Sequence, residues 1–345
     1  MKTIGKITII LAAIFLISSI ISILAGPINL FSGIEKIETT LTSHFEKTSA
    51  QEINLLKVDV SEADLNIYPV KGNEFLINLT MNYPSEYAEK VNISVKRNGE
   101  TIEVKIIDPN RIFFINKYLR LDIGIPENYS KKIMISTASG DLSIKNINLE
   151  NFETDTASGE IEIINLTSKE NIKLISVSGD IDGENLISDN FKLVTSSGEI
   201  RANGLKSKNE ITMDSISGDI YSEDIKSESF NVKTISGEII MENISSKTNY
   251  FESVSGDINI ISPDNLNTLK TRSGEVIIEK YFIQNNLDVE TISGDVYIEL
   301  IDESSVNLGF ESVSGDLENY FGDIHSGKNK INVNTTSGEL IISKS

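Results

Sequence analysis

The triplet Ser-Gly-acid recurs eleven times in this chain, with its glycine at positions 140, 159, 179, 198, 218, 237, 256, 274, 294, 315 and 338. Spacings of 18 to 23 residues, held from Gly140 to Gly338, are the signature of a repeat architecture. Aligning the copies on the glycine exposes columns. A hydroxyl stands three residues before it every time, as in Thr195, Ser215 and Thr234. An aliphatic stands two residues after it every time, as in Ile200, Ile220 and Ile239. The position five before is apolar, as in Leu193, Met213 and Val232, with Thr154 the exception.

The parity of the columns carries geometry. Positions seven, five, three and one before the glycine share one face of a strand, because successive side chains alternate. The aliphatic after the glycine is out of phase by one residue, so the chain bends at Gly-acid. A glycine there predicts positive φ. A second corner falls six residues after it, where Asn146, Asn165, Asn185, Gly204, Asp224 and Asn243 tolerate left-handed backbone. One coil of about twenty residues suits a parallel β-helix, whereas a propeller blade is about twice as long. The expected fold is therefore all-β: a β-solenoid of about eleven coils, roughly 50 Å long at the usual strand spacing.

Ahead of the repeat, Lys2 and Lys6 precede an apolar run from Ile7 to Ala25. As a helix it spans roughly 28 Å, close to a bilayer's hydrocarbon core. The flanking lysines place the N-terminus in the cytoplasm and everything after Gly26 outside. A cleaved signal peptide is the competing reading; both export the body. Residues 1–26 are thus expected to be a single-pass transmembrane anchor, 27–51 a juxtamembrane stalk containing a solvated His44, 52–135 a β-rich cap, and 136–345 the repeat solenoid. Asn98-Gly99 marks a hairpin inside the cap.

Composition removes several functions. A net charge of −20 disfavours nucleic acid, whose phosphates the chain would repel. No cysteine excludes thiolate catalysis and a disulfide framework, and two histidines cannot build a His-rich metal site. Enzymes on β-helices break their repeat locally to cluster catalytic groups. Here the acids recur at one corner in every copy, and tryptophan, the best sugar-stacking side chain, is absent. Catalytic residues, cofactor sites and metal sites are expected to be none. The stacked acids alternate Asp and Glu through the first nine copies, which staggers charges of different reach.

Two features point to contacts. Two residues before the glycine stand Ala138, Ala157, Val177, Ile216, Ile235, Val254, Ile292 and Val313, a column that strand parity turns outward, interrupted by Arg272 and Thr336. Such a stripe, above all Val177, Ile216, Ile235, Val254, Ile292 and Val313, is expected to bind a partner. The lengthened interval after Gly315 gathers Tyr320, Phe321 and His325 into a second candidate contact loop, against the plainer reading of a surface loop.

The run Leu121-Asp122-Ile123-Gly124-Ile125-Pro126, followed by Thr137-Ala138-Ser139-Gly140-Asp141-Leu142, resembles the "putative adhesin" domain of unknown function in LiaG-like envelope proteins of Gram-positive bacteria. The likeness covers about residues 52–345. It implies a β-solenoid at the cell envelope and a link to envelope stress responses, with no catalytic residues to transfer. The expected partners are the membrane through the N-terminal helix and an envelope protein, with wall polymer as the alternative.

Overall fold

The structure, a computed structural model, describes residues 39–109, 118–301 and 305–345. The apolar run of 7–25, and with it the expected transmembrane helix, lies outside them. Among the described residues no helix is long and apolar enough to cross a membrane; the helix Ser85–Ala88 has four residues. The described residues form an all-β solenoid of about ten turns, with 25 strands in one continuous sheet.

Each coil has three short faces. In the strand Ile161–Ser176 the first face pairs Ile161 with Ile181, the second Thr167 with Ile187, and the third Ile172 with Phe191, all parallel and like on like. Asn146, Asn165, Asn185, Gly204, Asp224, Asn243, Ser262 and Lys280 have φ between 50° and 68° where the first face turns into the second. That corner is legible from residue type at the first six of these; Ser262 and Lys280 continue it without such a sign. Between the second and third faces the register slips, for example between Ser168 and Asn171. Ser168 is buried there and its hydroxyl donates to the carbonyls of Glu150 and Asn171. This second serine column, continued by Ser188, Ser227 and Ser246, was missed because its members carry no neighbouring motif.

The core is a stack of identical positions. Ile220, Ile239 and Ile258 lie one above the next, as do Met213, Val232 and Phe251. Phe230 and Phe251 meet edge to face at 5.6 Å, so aromatic packing crosses from coil to coil.

Both ends depart from sequential stacking. At the C-terminal end Asn329–Asn334 lies between Leu287–Glu290 and Val306–Glu311. Likewise Leu340–Lys344 lies between Val296–Leu300 and Leu317–Asn319. The last coil in sequence is thus the penultimate one in space. At the N-terminal end Leu55–Glu62 sits between Thr101–Ile107 and Lys132–Ser139, and Asp64–Val70 between Tyr118–Pro126 and Leu142–Thr156. Ala63 takes the glycine position of this first coil.

The stretch 27–51, expected to be a stalk, contributes a strand. Thr39–Ser49 pairs antiparallel with Glu74–Pro84, which pairs antiparallel with Tyr118–Pro126. His44, expected in solvent, is half-buried on this strand, with no partner for its Nε2. On the other face Asn92–Asn98 pairs antiparallel with Thr101–Ile107 through the expected hairpin at Gly99. Antiparallel strands thus close the N-terminal end and stop the parallel stack from continuing.

Candidate interaction surface

The Ser-Gly-acid corner is built from its backbone outward. The chain leaves strand geometry after the hydroxyl column, and that hydroxyl accepts the glycine N–H of its own corner: 2.8 Å from Gly218 to Ser215, 3.0 Å from Gly237 to Thr234 and 2.8 Å from Gly256 to Ser253. The hydroxyls of Thr195, Thr234, Ser253 and Thr271 also reach the glycine carbonyl one coil earlier. These buried hydroxyls thus cap the corner and do not bond one another along the rod.

Positive φ is not why the corner needs glycine. Of the eleven motif glycines only Gly140 has it, at 116°. The cause is close approach. A Cβ on Gly218 would stand 1.7 Å from the Gly198 carbonyl oxygen, and one on Gly237 2.1 Å from that of Gly218. Only hydrogen fits between coils.

The acids divide their work. The Asp219 carboxylate accepts the Glu238 N–H at 2.8 Å, and Asp141, Asp180, Asp257 and Asp295 do the same for Glu160, Glu199, Glu275 and Glu339. A short Asp caps the amide of the coil above. The Glu beyond it points outward. Because the final coil is inserted, Asp295 is followed in space by Glu339 and then Asp316. The alternation that breaks in sequence at Asp295 and Asp316 therefore runs unbroken along the rod.

Stacking these acids has a cost. The hydrogen bond Glu160 shares with Asp182 raises its pKa, as do burial and the charges of Asp182, Asp141 and Asp180. Burial raises that of Glu238, as do Asp257 and Asp219. A carboxyl raised in the folded state holds its proton more tightly than in the unfolded chain. Its stabilising contribution is full below the ordinary glutamate range and is lost as pH rises through the folded value. Glu238→Gln is accordingly expected to raise neutral-pH stability by about a few tenths of a kcal/mol, exposure discounting the effect. Melting at pH 7 and at pH 3 checks this, the gain being absent at the lower pH. Among the described residues no group of three or more His, Cys, Asp or Glu is arranged to hold a metal ion.

The residue two before the glycine projects from the corner. Backbone bonds link these corners directly, from the Ser236 N–H to the Ile216 carbonyl and from the Ser255 N–H to the Ile235 carbonyl. Ile216, Ile235, Ile292 and Val313 are exposed, and Val177 and Val254 half-buried. The six do not form one stripe. Ser196 separates Val177 from Ile216, Arg272 separates Val254 from Ile292, and Thr336 separates Ile292 from Val313. What remains contiguous is a ridge of Ile216, Ile235 and Val254. Strand parity does not apply here; the column is outward because it caps a corner. For the same reason the serine before each motif glycine, placed with the core by parity, is exposed at Ser217, Ser236 and Ser255. Beside the ridge runs a charged ladder, with Lys233 3.2 Å from Glu252 and Lys270 2.6 Å from Glu290. These pairs are solvated and add little stability.

The loop after Gly315 is not assembled as expected. Phe321 is only 7% exposed and joins Ile324 in the core. The Leu308 N–H donates to the Ile324 carbonyl, and Asn307 bridges to His325. The loop therefore folds over the last coil, and its bulk is a plug. Tyr320 and His325 remain exposed, and they do not converge with the buried Phe321 on one surface.

The model of the Toastrack DUF4097 family matches residues 53–211 and 207–343. No curated protein matches. Among solved structures, a "putative cell adhesion protein" from Clostridium sporogenes is similar at 11% identity, covering 89% of this chain and 100% of that one, with a TM-score of 0.28. A "putative lipid binding protein" from Parabacteroides distasonis is similar at 13% identity, covering 87% and 96%, with a TM-score of 0.35. A "putative adhesin" from Bacteroides fragilis is similar at 10% identity, covering 87% and 97%, with a TM-score of 0.28.

Proposed function

The chain belongs to the Toastrack DUF4097 family, and from that premise we propose that it is a non-enzymatic cell-envelope protein acting in recognition or scaffolding. Its apolar run 7–25 holds it in the membrane as a single-pass anchor, with the solenoid outside the cytoplasm. It engages a protein partner of an envelope stress system, as the resemblance to LiaG-like proteins suggests.

One observation carries this reading: the motif is engaged in its own architecture. The hydroxyl caps the glycine amide, the glycine admits the neighbouring carbonyl, and every second acid caps the coil above. The ridge of Ile216, Ile235 and Val254 is not so engaged. An apolar strip flanked by solvated charge has the composition of a contact centre with a polar rim.

Placing a photoreactive side chain at Ile235 in the full chain, within native envelopes, tests the proposal. One discrete protein adduct is the expected result, absent when the same group replaces Lys208, an exposed residue remote from the ridge. Adducts with wall polymer alone would move the function to adhesion. Equal labelling from both positions would remove the ridge from it.

A further inference from the structure

The edge strand Thr39–Ser49 is inverted relative to an ordinary edge strand. Its positions paired with the buried Tyr83, Met81, Leu79, Ile77 and Phe75 are polar: Thr40 and Glu46 are exposed, and Thr42, His44 and Thr48 half-buried. Its outward positions include Leu41, 74% exposed, and Phe45, 54% exposed. Outward positions on a solvated edge are normally polar, so apolar side chains there need a cover.

More of the same chemistry gathers at this end. Asn82 lies between Leu41 and the exposed Tyr118 in the pairing register. Lys47 places its Nζ 5.5 Å from the centre of the Phe45 ring, while Arg120, two residues after Tyr118 on the same face, is paired with Asp122 at 2.9 Å. Apolar and aromatic bodies beside the Lys47 cation, in a chain of net charge −20, make up the composition of a membrane–water interface.

Position identifies the occupant. Residues 26–38, thirteen in number, join the end of the apolar run to Thr39. Even fully extended they reach at most about 45 Å, so this end is tethered close to whatever the run enters. We propose that the outward face of Thr39–Ser49, with Tyr118, rests in the headgroup region of the lipid bilayer. This rests on the anchor reading, and it adds a second membrane contact that a plain tether would not have.

The chain contains no cysteine, so single-cysteine variants can be labelled cleanly. The full chain carrying Leu41→Cys, Phe45→Cys or Ile235→Cys is labelled with an environment-sensitive fluorophore. Each is reconstituted in vesicles of phosphatidylcholine and phosphatidylglycerol that carry a nitroxide at headgroup depth. The expected result is flotation of all three, with labels at 41 and 45 quenched several-fold more than the label at 235. Flotation with equal quenching would overturn the lipid-facing strand and leave the anchor standing. A blue shift at 41 and 45 without quenching would assign the face to a protein cover, which also overturns it. No flotation would remove the anchor and the proposal together.

Discussion

Gly218→Ala is expected to destabilise the solenoid by about 3 kcal/mol or more, at the upper end of overpacking effects. The added Cβ would stand 1.7 Å from the Gly198 carbonyl oxygen and 2.6 Å from its carbon. Neither backbone can yield, since both coils are held by parallel ladders on their adjoining faces. Conformational strain plays no part, because Gly218 does not have positive φ. Gly183→Ala is the control. Its Cβ would meet the flexible Leu186 side chain, and Ala202 already fills the same column one coil on. An effect within about 1 kcal/mol is expected there. Denaturant midpoints of the two variants check the account; equal midpoints would refute close approach as the reason for the motif.

Removing residues 328–345 is expected to unprotect far more than its own length. Among the described residues Val306–Glu311 pairs with Asn329–Asn334, and Leu317–Asn319 with Leu340–Lys344, and apart from the Asn307–His325 bridge no other strand pairing holds either. Truncation would release both to solvent and bare Leu287–Glu290 and Val296–Leu300 as well. Hydrogen exchange would then show loss of protection across 306–319 and at the amides of 287–300 that bond to the removed strands, such as Thr291 and Val296. A sequential stack would lose only the end coil and keep 306–319 protected. Cysteine pairs make the same distinction without truncation. Asp295→Cys with Glu339→Cys joins adjacent coils, as the 2.8 Å bond between these residues shows, and should oxidise readily. Asp295→Cys with Asp316→Cys straddles the inserted coil and should not.

Much of this was legible in the residues, and the misreadings have physical causes. The columns around the glycine revealed the solenoid, because like positions must stack on like. The left-handed corner at Asn146, Asn165 and Asn185 was legible because those side chains tolerate such backbone. Gly218 and its counterparts were assigned positive φ because the sequence cannot show what lies a few ångströms away in the next coil. Parity failed at Ser217 and its counterparts, since alternation ends where the strand does. The inserted coil was hidden although its trace was visible: Asp295 is followed in sequence by Asp316, and only the spatial order restores the alternating acids. Ala63 was overlooked because Ser61-Glu62-Ala63-Asp64 no longer spells the motif. Phe321 looked like a contact because a loop's aromatic gives no sign of whether it faces solvent or plugs an open end.

We propose that the repeat is architecture and that recognition belongs to the ridge. Capture from native envelopes by the full chain and by its Ile216→Ser, Ile235→Ser, Val254→Ser variant tests it most directly, with melting measured in parallel. The account predicts that the unaltered chain retains one defined membrane protein and that the variant, at matched stability, loses it by about tenfold or more. Unchanged capture by the variant would contradict it.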